Sequence, residues 1–446
     1  MVIAASALIA HLIVQPDLPR RGSLGLGFTP LAPEIAKEHK LGEGEGLLAA
    51  KPVPGGTGEL AGVREGDIVI SINGRTAKAQ GLSAWVRTLP SGGKTRFSVI
   101  RDGKKVELTA KLVERPRDPG GDNYTVSYSS VNTAAGRMRT IITTPKKPGK
   151  HPAFMFIQGL SPLSYDFNLA TSKGDVATID GPLLHEIANS NYVTMRVEKP
   201  GVGDSEGGPY ETLDFMTEAD IYRQAMKQLV ANPGIDKGNL FIFGHSMGGS
   251  FGPMMACEFP VKGIATYGTA GRTWFEYLID VIRYQGLVAG DSFENADDSV
   301  RQVSHIMALA ILEKKELAEI KKLHPELAPL VDAYFPGGLF NGKALPFWRQ
   351  LNDTNFAKFW AKCGSHVLAA RGVSDFVTYD ADHKLIADIA NRAKPGSGKF
   401  VMVPSSDHLF HRFATEKESM QNFSKGTFTL EFTTMLKAWM AEVMAR

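Results

Sequence analysis

A serine between two glycines is the pattern in this chain that points most directly to chemistry. Residues 244–248 are Gly-His-Ser-Met-Gly, with Ser246 at the centre. An apolar run at 239–243 predicts a strand before the motif, and 248–257 predicts a helix after it. A serine on such a tight turn projects its hydroxyl at a helix N-terminus, where the helix dipole favours negative charge. A Gly-x-Ser-x-Gly motif alone occurs by chance, so the strand and helix around it carry the prediction that Ser246 is a nucleophile.

A serine hydroxyl becomes a good nucleophile only when a base removes its proton and an acid orients that base. In chains with this type of turn the acid and then the histidine follow the serine. Asp375 comes just after a strand predicted at 366–370, and His408 follows the next one, at 399–403. Functional side chains emerge at the ends of parallel strands. We therefore expect a Ser246, His408 and Asp375 triad.

Other carboxylates and histidines compete for these roles. Asp380 and Asp382 are either helix-cap residues or the acid, and Asp380 has the position of an N-cap before a helix predicted at 381–392. His411 is the alternative base. His245 is adjacent to the serine, so its side chain should point away from the hydroxyl, which favours a packing role.

Two backbone amides are expected to bind the oxyanion of a tetrahedral intermediate. One is Met247 N–H, directly after the serine, and the other comes from the loop after a strand predicted at 153–158. In that loop we assign Leu160 N–H, with Gly159 as the alternative. A triad with two such donors needs no metal or organic cofactor. A trypsin-like site is excluded, because its histidine and aspartate precede the serine within paired β-barrels.

Strands and helices alternate through the C-terminal two thirds of the chain, which predicts an α/β, doubly wound and mostly parallel sheet. An antiparallel pair at 124–131 and 137–144 comes first. Strand signals stop between 271 and 362, where the chain is helical and amphipathic, and we interpret this stretch as an insertion. The helices predicted there are 274–286, 298–322 and 347–361.

These motifs together resemble the α/β-hydrolase fold, in its esterase and peptidase-like group, over about 123–446. The resemblance implies that 271–362 is a helical cap over the pocket and that Asp204, in the turn at 200–205, is structural. Gln158 stands where many relatives have histidine, so its side chain has no assigned role. Five cap aromatics either line the pocket or form the cap core: Trp274, Phe275, Tyr277, Phe347 and Trp348.

The segment 20–115 is small and β-rich and resembles a bacterial PDZ domain. The resemblance rests on Gly-Leu-Leu at 46–48, Leu-Ala-Gly-Val-Arg-Glu-Gly-Asp-Ile-Val at 60–69 and Ile-Asn-Gly at 72–74. It implies a glycine-containing loop whose amides bind the C-terminal carboxylate of a peptide. The matching residues are Ser23, Leu24, Gly25 and Leu26. The alternative is that this unit only docks on the catalytic part or on a partner.

Length and composition limit the remaining possibilities. A chain of 446 residues with 43% hydrophobic and 22% charged residues is a globular protein of two or three units, and a net charge of +3 with no basic run excludes a nucleic-acid partner. The boundaries we predict are an arm or signal remnant at 1–19, the PDZ-like unit at 20–115, a linker at 116–123 and the hydrolase at 124–446. Cys257 and Cys363 predict neither a disulfide nor a metal site. The apolar run at 2–14 leaves periplasmic, secreted and cytoplasmic locations open.

The expected reaction is hydrolysis of a carboxylic ester through an acyl-enzyme on Ser246. A peptidase or amidase using the same triad is the first alternative, since one fold hosts both chemistries. The second is a peptide-binding module with a vestigial hydrolase. The expected partners are a small ester or short peptide at the triad and a peptide C-terminus at the PDZ-like unit, and the oligomeric state stays open.

Overall fold

The computed structural model describes residues 17–86, 88–166, 168–171 and 174–446. The apolar run at 2–14, and with it most of the arm expected at 1–19, lies outside these residues. Within them, no helix is both long enough and apolar enough to cross a bilayer.

The N-terminal part of the chain is a small β-rich unit with a core of its own. Strands β2, β3, β4, β6 and β7 form its sheet in that order, and β5 pairs with β4. Asp102 and Gly103 join β6 to β7 with φ of 50° and 72°, the backbone that a two-residue hairpin requires. The sequence does not predict helix α2, because its five residues are too few to show the apolar periodicity of a helix. The elements are β1 (Gly22–Ser23), β2 (Phe28–Pro30), α1 (Pro33–Glu38), β3 (Leu47–Ala49), α2 (Thr57–Ala61), β4 (Ile68–Ile72), β5 (Arg75–Thr76), α3 (Leu82–Val86), β6 (Lys94–Arg101), β7 (Lys104–Lys111) and β8 (Val113–Glu114).

A mixed eight-stranded sheet organises the rest of the chain, in the order β9-β10-β14-β11-β15-β16-β17-β18. Strands β9 and β10 are antiparallel, and the other six run parallel to one another. The strands are β9 (Tyr124–Thr133), β10 (Gly136–Pro145), β11 (His151–Ile157), β12 (Asn168–Thr171), β13 (Gly174–Ala177), β14 (Val193–Val197), β15 (Ile235–His245), β16 (Gly263–Tyr267), β17 (His366–Gly372), β18 (Gly398–Val403), β19 (His411–Arg412) and β20 (Thr427–Phe428).

Helices cover both faces of this sheet. Along β11 the residues alternate between two buried clusters, because successive strand side chains point to opposite faces. Met155 and Ile157 pack with α5 and α6, whereas Phe154 and Phe156 pack with α4 and α15. The helices are α4 (Gly181–Asn189), α5 (Phe215–Ala231), α6 (Gly248–Ala256), α7 (Trp274–Ala289), α8 (Phe293–Met307), α9 (Leu317–Leu323), α10 (Ala328–Tyr334), α11 (Leu345–Asp353), α12 (Phe356–Lys362), α13 (Asp380–Ala393), α14 (Glu416–Gln421) and α15 (Glu431–Met444). The mostly parallel sheet expected from the sequence is therefore present.

The insertion between β16 and β17 is helical, as expected, and comprises α7 to α12. The single helices predicted at 298–322 and 347–361 are both wrong, because the chain breaks between α8 and α9 and between α11 and α12. Lys314 takes a positive φ of 58°, and the Lys315 amide donates back to Leu309 O. A single residue in the left-handed conformation commonly ends a helix in this way. The spacing of apolar residues in the sequence does not reveal such a residue.

The two ends of the small unit are held together and against the large sheet. Strand β1 pairs with β8 in antiparallel register. Arg20, which precedes β1, and Arg115, which follows β8, both form ion pairs with Asp166, at 2.8 and 3.2 Å. Arg20 also donates to Asp204 at 2.6 Å, and both side chains are fully buried. The resemblance implied a structural role for Asp204. In the structure Asp204 binds Arg20 and so holds the N-terminal segment against the large sheet.

Replacing Asp204 with alanine should lower the free energy of unfolding by about 3–5 kcal/mol, because it removes the buried carboxylate that pairs with both Arg20 and Arg139 and leaves these two buried guanidinium groups with too little negative charge nearby. Chemical denaturation of the full chain measures this. Glu206→Gln is the matched control beside the same turn, since its ion pair with Arg137 is partly exposed to solvent and solvent-exposed pairs contribute about 0.2–1 kcal/mol. Equal losses in the two variants would contradict the anchoring role.

Candidate active site

Ser246 lies on a strained turn between β15 and α6. Its φ is 53°, a left-handed conformation that costs a non-glycine residue free energy and that surrounding structure must enforce. The flanking glycines make the turn possible. A Cβ on Gly244 would lie 2.4 Å from Gly248 O, and one on Gly248 would lie 2.1 Å from Ile157 O. The Gly-x-Ser-x-Gly spacing is therefore required by close backbone packing.

The structure brings together the three residues expected to form the triad. Ser246 Oγ lies 3.0 Å from His408 Nε2, and His408 Nδ1 lies 3.0 Å from Asp375 Oδ2. Asp375 and His408 are buried, and Ser246 is half-buried. This chain of contacts gives the serine a base and gives that base an orienting carboxylate.

The Asp375 carboxylate is held in its ionised form. Its oxygens accept hydrogen bonds from Val377 N at 2.7 Å and from Thr378 Oγ1 at 2.7 Å. Burial by itself would raise the pKa of Asp375, but the charge and hydrogen bond of His408, with Arg371 nearby, outweigh it and hold that pKa well below its usual value. The acid therefore stays charged near neutral pH.

The competing residues have other contacts. The prediction that Asp380 is an N-cap is wrong: Tyr379 occupies that position, and Asp380 is the first helical residue, 3.1 Å from Arg371. Asp382 lies inside α13 and accepts from the amides of Gly271 and Arg272 at the start of the cap. Asp382 thus anchors the point where the cap begins, a role that sequence reasoning missed.

His411, the alternative base, lies in the short strand β19, which pairs with β20. Its backbone amide donates to Asp407, and no contact joins it to the serine among the described residues. His408 is the histidine that the structure places beside Ser246.

His245 bridges two segments behind the site. Its Nδ1 lies 2.9 Å from Asp180 Oδ1, and its Nε2 lies 2.8 Å from the backbone oxygen of His408. Because Nδ1 faces a carboxylate and Nε2 faces a carbonyl oxygen, these surroundings favour a positively charged imidazolium. Burial would lower the pKa of His245, but the Asp180 carboxylate outweighs it and raises that pKa above its ordinary value of 6.5. The packing role expected for His245 is more specific here, since this side chain supports the loop that carries His408.

Replacing His245 with glutamine should destabilise the protein most at low pH. Because the folded-state pKa is raised, the stabilisation is fully present below the ordinary histidine pKa and is lost as the pH rises through the folded-state pKa. The difference in unfolding free energy between wild type and His245→Gln, measured by urea denaturation at about pH 6 and about pH 9, should shrink with pH. Made in an Asp180→Asn background, the same comparison should show little pH dependence. A difference independent of pH in the wild-type background would contradict the charged form.

The two amides expected to bind an oxyanion are both at the site. Met247 precedes the first residue of α6, and Leu160 lies in the loop after β11. Neither amide donates to another group among the described residues. A Cβ on Gly159 would lie 3.3 Å from Ser246 Cβ, so this loop passes directly over the serine. Gln158 uses its amide to donate to Val197 O at 3.0 Å and so braces β14.

A cavity of about 150 Å³ opens at Ser246. Of the five aromatics proposed for pocket or core, Trp274 and Tyr277 line it. Phe347 and Trp348 are buried in the cap, where Trp348 stacks on Trp274 with ring centroids 4.5 Å apart. Phe275 also packs against the cap core. The other lining residues are Leu160, Met247, Ser250, Gly268, Thr269, Ala270, Arg272, Asn341, Leu351, Phe356, Val377 and Thr378.

A second, larger cavity of about 550 Å³ lies between the small unit and the large sheet. Residues 23–26, expected to bind a peptide carboxylate, form one wall, and Leu82 and Val86 of α3 form another. Gly25 has φ of 60°, and its amide donates to Ser23 Oγ at 3.2 Å. Leu163 and Ser164, from the loop that also carries Leu160, complete the groove. Sequence reasoning missed this shared wall.

No set of three or more histidine, cysteine or carboxylate side chains that could hold a metal ion occurs in the part of the chain that the structure describes. Cys257 and Cys363 are both free thiols.

No family model matches the chain. The periplasmic serine endoprotease DegP of Escherichia coli (strain K12) is 34% identical over 101 residues, which are 22% of this chain and 21% of that protein. A probable periplasmic serine endoprotease DegP-like protein of Rhizobium meliloti (strain 1021) is 32% identical over 107 residues, 24% of this chain and 21% of its own. The chain therefore spans about a fifth of the length of the curated relatives it matches.

Solved structures similar to this chain include esterases and an α/β-hydrolase. Est1E from Butyrivibrio proteoclasticus with bound ferulic acid has 15% identity and a TM-score of 0.45, covering 71% of this chain and 99% of its own. The α/β-hydrolase GrgF from Penicillium sp. sh18 has 12% identity and a TM-score of 0.44, covering 72% and 100%. With TM-scores below 0.5, these similarities do not indicate a substrate for this chain.

Proposed function

We propose that this chain is a serine hydrolase of the α/β-hydrolase fold that cleaves carboxylic esters. The observation that carries the proposal is the continuous contact from Ser246 Oγ through the His408 ring to Asp375, each step 3.0 Å long, beside an open cavity. In the proposed first step His408 takes the serine proton while Oγ attacks the ester carbonyl. The oxyanion that forms is bound by the amides of Leu160 and Met247.

Collapse of this intermediate breaks the bond to the alcohol oxygen, which leaves with the proton that His408 returns. The acyl group is then bonded to Ser246. In the second half His408 deprotonates a water molecule, the hydroxide attacks the acyl carbon, and the proton passes back to Ser246 Oγ. Asp375 stays ionised and fixes the imidazole tautomer throughout. The products are one carboxylic acid and one alcohol, and Ser246 is regenerated.

The cavity favours a small acyl group. Its 150 Å³ is below the ~300–1,000 Å³ typical of ligand pockets, and Trp274, Tyr277 and Leu351 give it apolar walls. Short acyl chains would fill it, and long chains would have to displace the cap. We therefore propose esters of short acids as the substrate class, with a peptidase or amidase as the alternative on the same triad.

The direct test compares p-nitrophenyl acetate, butyrate and octanoate with aminoacyl p-nitroanilides, on wild type and on Ser246→Ala. We expect turnover to fall with acyl length and esters to be preferred over anilides. A fluorophosphonate probe should label wild type and not Ser246→Ala. Equal labelling of both proteins would remove Ser246 from the mechanism, and preference for anilides would favour the peptidase.

We also propose that residues 20–115 form a PDZ-like domain, joined by the 116–123 segment to the hydrolase, and that its groove binds a peptide C-terminus. Strand β2 lies at the edge of its sheet, where an added strand can pair, and α3 provides an apolar wall through Leu82 and Val86. Arg115 lines the groove and supplies positive charge for a carboxylate. Fluorescence anisotropy with a peptide and its C-terminal amide tests this, and equal binding of the two would contradict it.

We propose a periplasmic location only because the curated relatives are named as periplasmic proteins. The matching segment covers about a fifth of the length of each relative. Fractionation of cells that express the full chain tests it. Recovery in the cytoplasm only would contradict it.

A further inference from the structure

A buried lysine, Lys199, lies directly behind the loop that carries Leu160. It follows β14, and its side chain is 1% exposed. Its Nζ donates to Gly159 O at 2.6 Å and to Leu160 O at 3.1 Å. Burial lowers the pKa of Lys199, and the neighbouring Glu218 carboxylate opposes this effect. In either protonation state, the two bonds to consecutive carbonyls fix the orientation of the loop.

The peptide bond between Gly159 and Leu160 makes this orientation relevant to catalysis. The bond is planar and trans, so the Gly159 carbonyl and the Leu160 N–H point in opposite directions from it. The carbonyl points to Lys199 on the inner side of the loop. The N–H must then point outward, to the side on which the loop passes over Ser246 and on which Leu160 lines the cavity.

We propose that Lys199 is a positioning residue that aims the Leu160 amide at the oxyanion, an inference that rests on the serine hydrolase function proposed above. An ammonium has three N–H donors, which serve the Gly159 carbonyl, the Glu218 carboxylate at 2.8 Å and the third acceptor, Leu160 O or the Tyr210 hydroxyl. Tyr210 itself donates to Leu160 O and so provides a second brace on the same loop. A hydrogen bond accepted at the Gly159 carbonyl also polarises the attached N–H, which strengthens it as a donor.

Lys199 can be replaced by a neutral residue without leaving the buried Glu218 carboxylate unpaired. Glu218 also binds Lys343, a buried cap residue, at 3.3 Å. Two lysines thus share one carboxylate, and removal of Lys199 leaves a neutral Glu218 and Lys343 pair. Lys199→Met, which keeps the length and apolar body of the side chain, should therefore fold.

The experiment measures three quantities on wild type and Lys199→Met: kcat and KM for p-nitrophenyl acetate, and the Ki of a trifluoromethyl ketone that adds to the serine as a tetrahedral oxyanion. We expect kcat/KM to fall by about 10- to 100-fold, less than the ~10²–10³ that loss of one oxyanion donor costs. KM should change little, and the Ki of the ketone should rise by the same factor as kcat/KM falls. A merely structural role would not link these two factors.

Lys343→Met is the matched control, because it removes the other partner of Glu218 and bonds no atom of the Leu160 loop. It should lower the melting temperature and leave kcat/KM within about threefold of wild type. Equal kinetic losses in the two lysine variants would overturn the proposal, and so would a Lys199→Met protein with unchanged kinetics. If Lys199→Met does not fold, Lys199→Gln replaces it, and a fall in kcat/KM without a matching rise in Ki, or no change in either, would overturn the proposal. An inactive wild type would instead refute the hydrolase function itself.

Discussion

The His408→Ala protein should lose at least about 10⁴-fold in kcat on a short p-nitrophenyl ester. His408 Nε2 lies 3.0 Å from Ser246 Oγ, and among the residues that the structure describes no other base contacts this hydroxyl. The loss should appear in kcat, with little change in KM, because the cavity walls that bind the acyl group remain. Steady-state kinetics and the rate of fluorophosphonate labelling both measure it.

His411→Ala is the matched control for this variant, because it removes a histidine three residues away in the strand β19 that pairs with β20. Its kcat should stay within a few-fold of wild type. An inactive His411→Ala together with an active His408→Ala would exchange the roles that the structure suggests for these two residues.

The Asp375→Asn protein should lose about 10⁴-fold in kcat while staying folded. An asparagine oxygen can still accept from the Val377 and Thr378 amides, so the buried turn keeps these two backbone hydrogen bonds, and the Thr378 hydroxyl, which donates to Oδ2 in the wild type, must turn to accept from the new NH2. The amide NH2 would, however, face His408 Nδ1 and favour the tautomer with its proton on Nε2, which cannot accept from Ser246. Turnover with unchanged circular dichroism and melting temperature would show that the loss is chemical.

The pKa of Asp375 adds a second expectation. Because it lies well below the usual range, Asp375 should stay ionised through mildly acidic pH, and a loss of activity there should come from another group. Asp380→Asn, on the exposed start of α13, is the control and should keep nearly full activity. A loss in Asp380→Asn equal to that in Asp375→Asn would show that the carboxylate contact is not specific.

The mostly parallel sheet and the proximity of Ser246, His408 and Asp375 could be predicted because both depend on local patterns. The run before Ser246 is apolar and short, the residues after it are helical, and glycines occupy the positions where a Cβ would collide with backbone. Asp375 and His408 each follow a strand in the order that this turn requires. The rule that functional groups lie at strand ends then places all three together without knowledge of side-chain packing.

The contacts that support the triad could not be predicted, because they join residues distant in sequence. His245 supports the His408 loop across 163 positions, and Lys199 binds a loop 40 residues before it. Nothing in the spacing of a lone lysine or histidine distinguishes a buried brace from a solvated side chain. The break between α8 and α9 was missed for a different reason, since it depends on a positive φ at Lys314, a residue type without a strong preference for it.

The antiparallel pairing of β1 with β8 brings the entrance and exit of the small N-terminal unit side by side. Ser23 is opposite Val113, as in a hairpin with a very long connection. A two-residue Asn-Gly turn between these strands would therefore be long enough to replace everything from 24 to 112. The shortened chain would keep the ion pairs of Arg20 and Arg115 with Asp166. Another small domain whose ends lie equally close together could then be inserted at the same place.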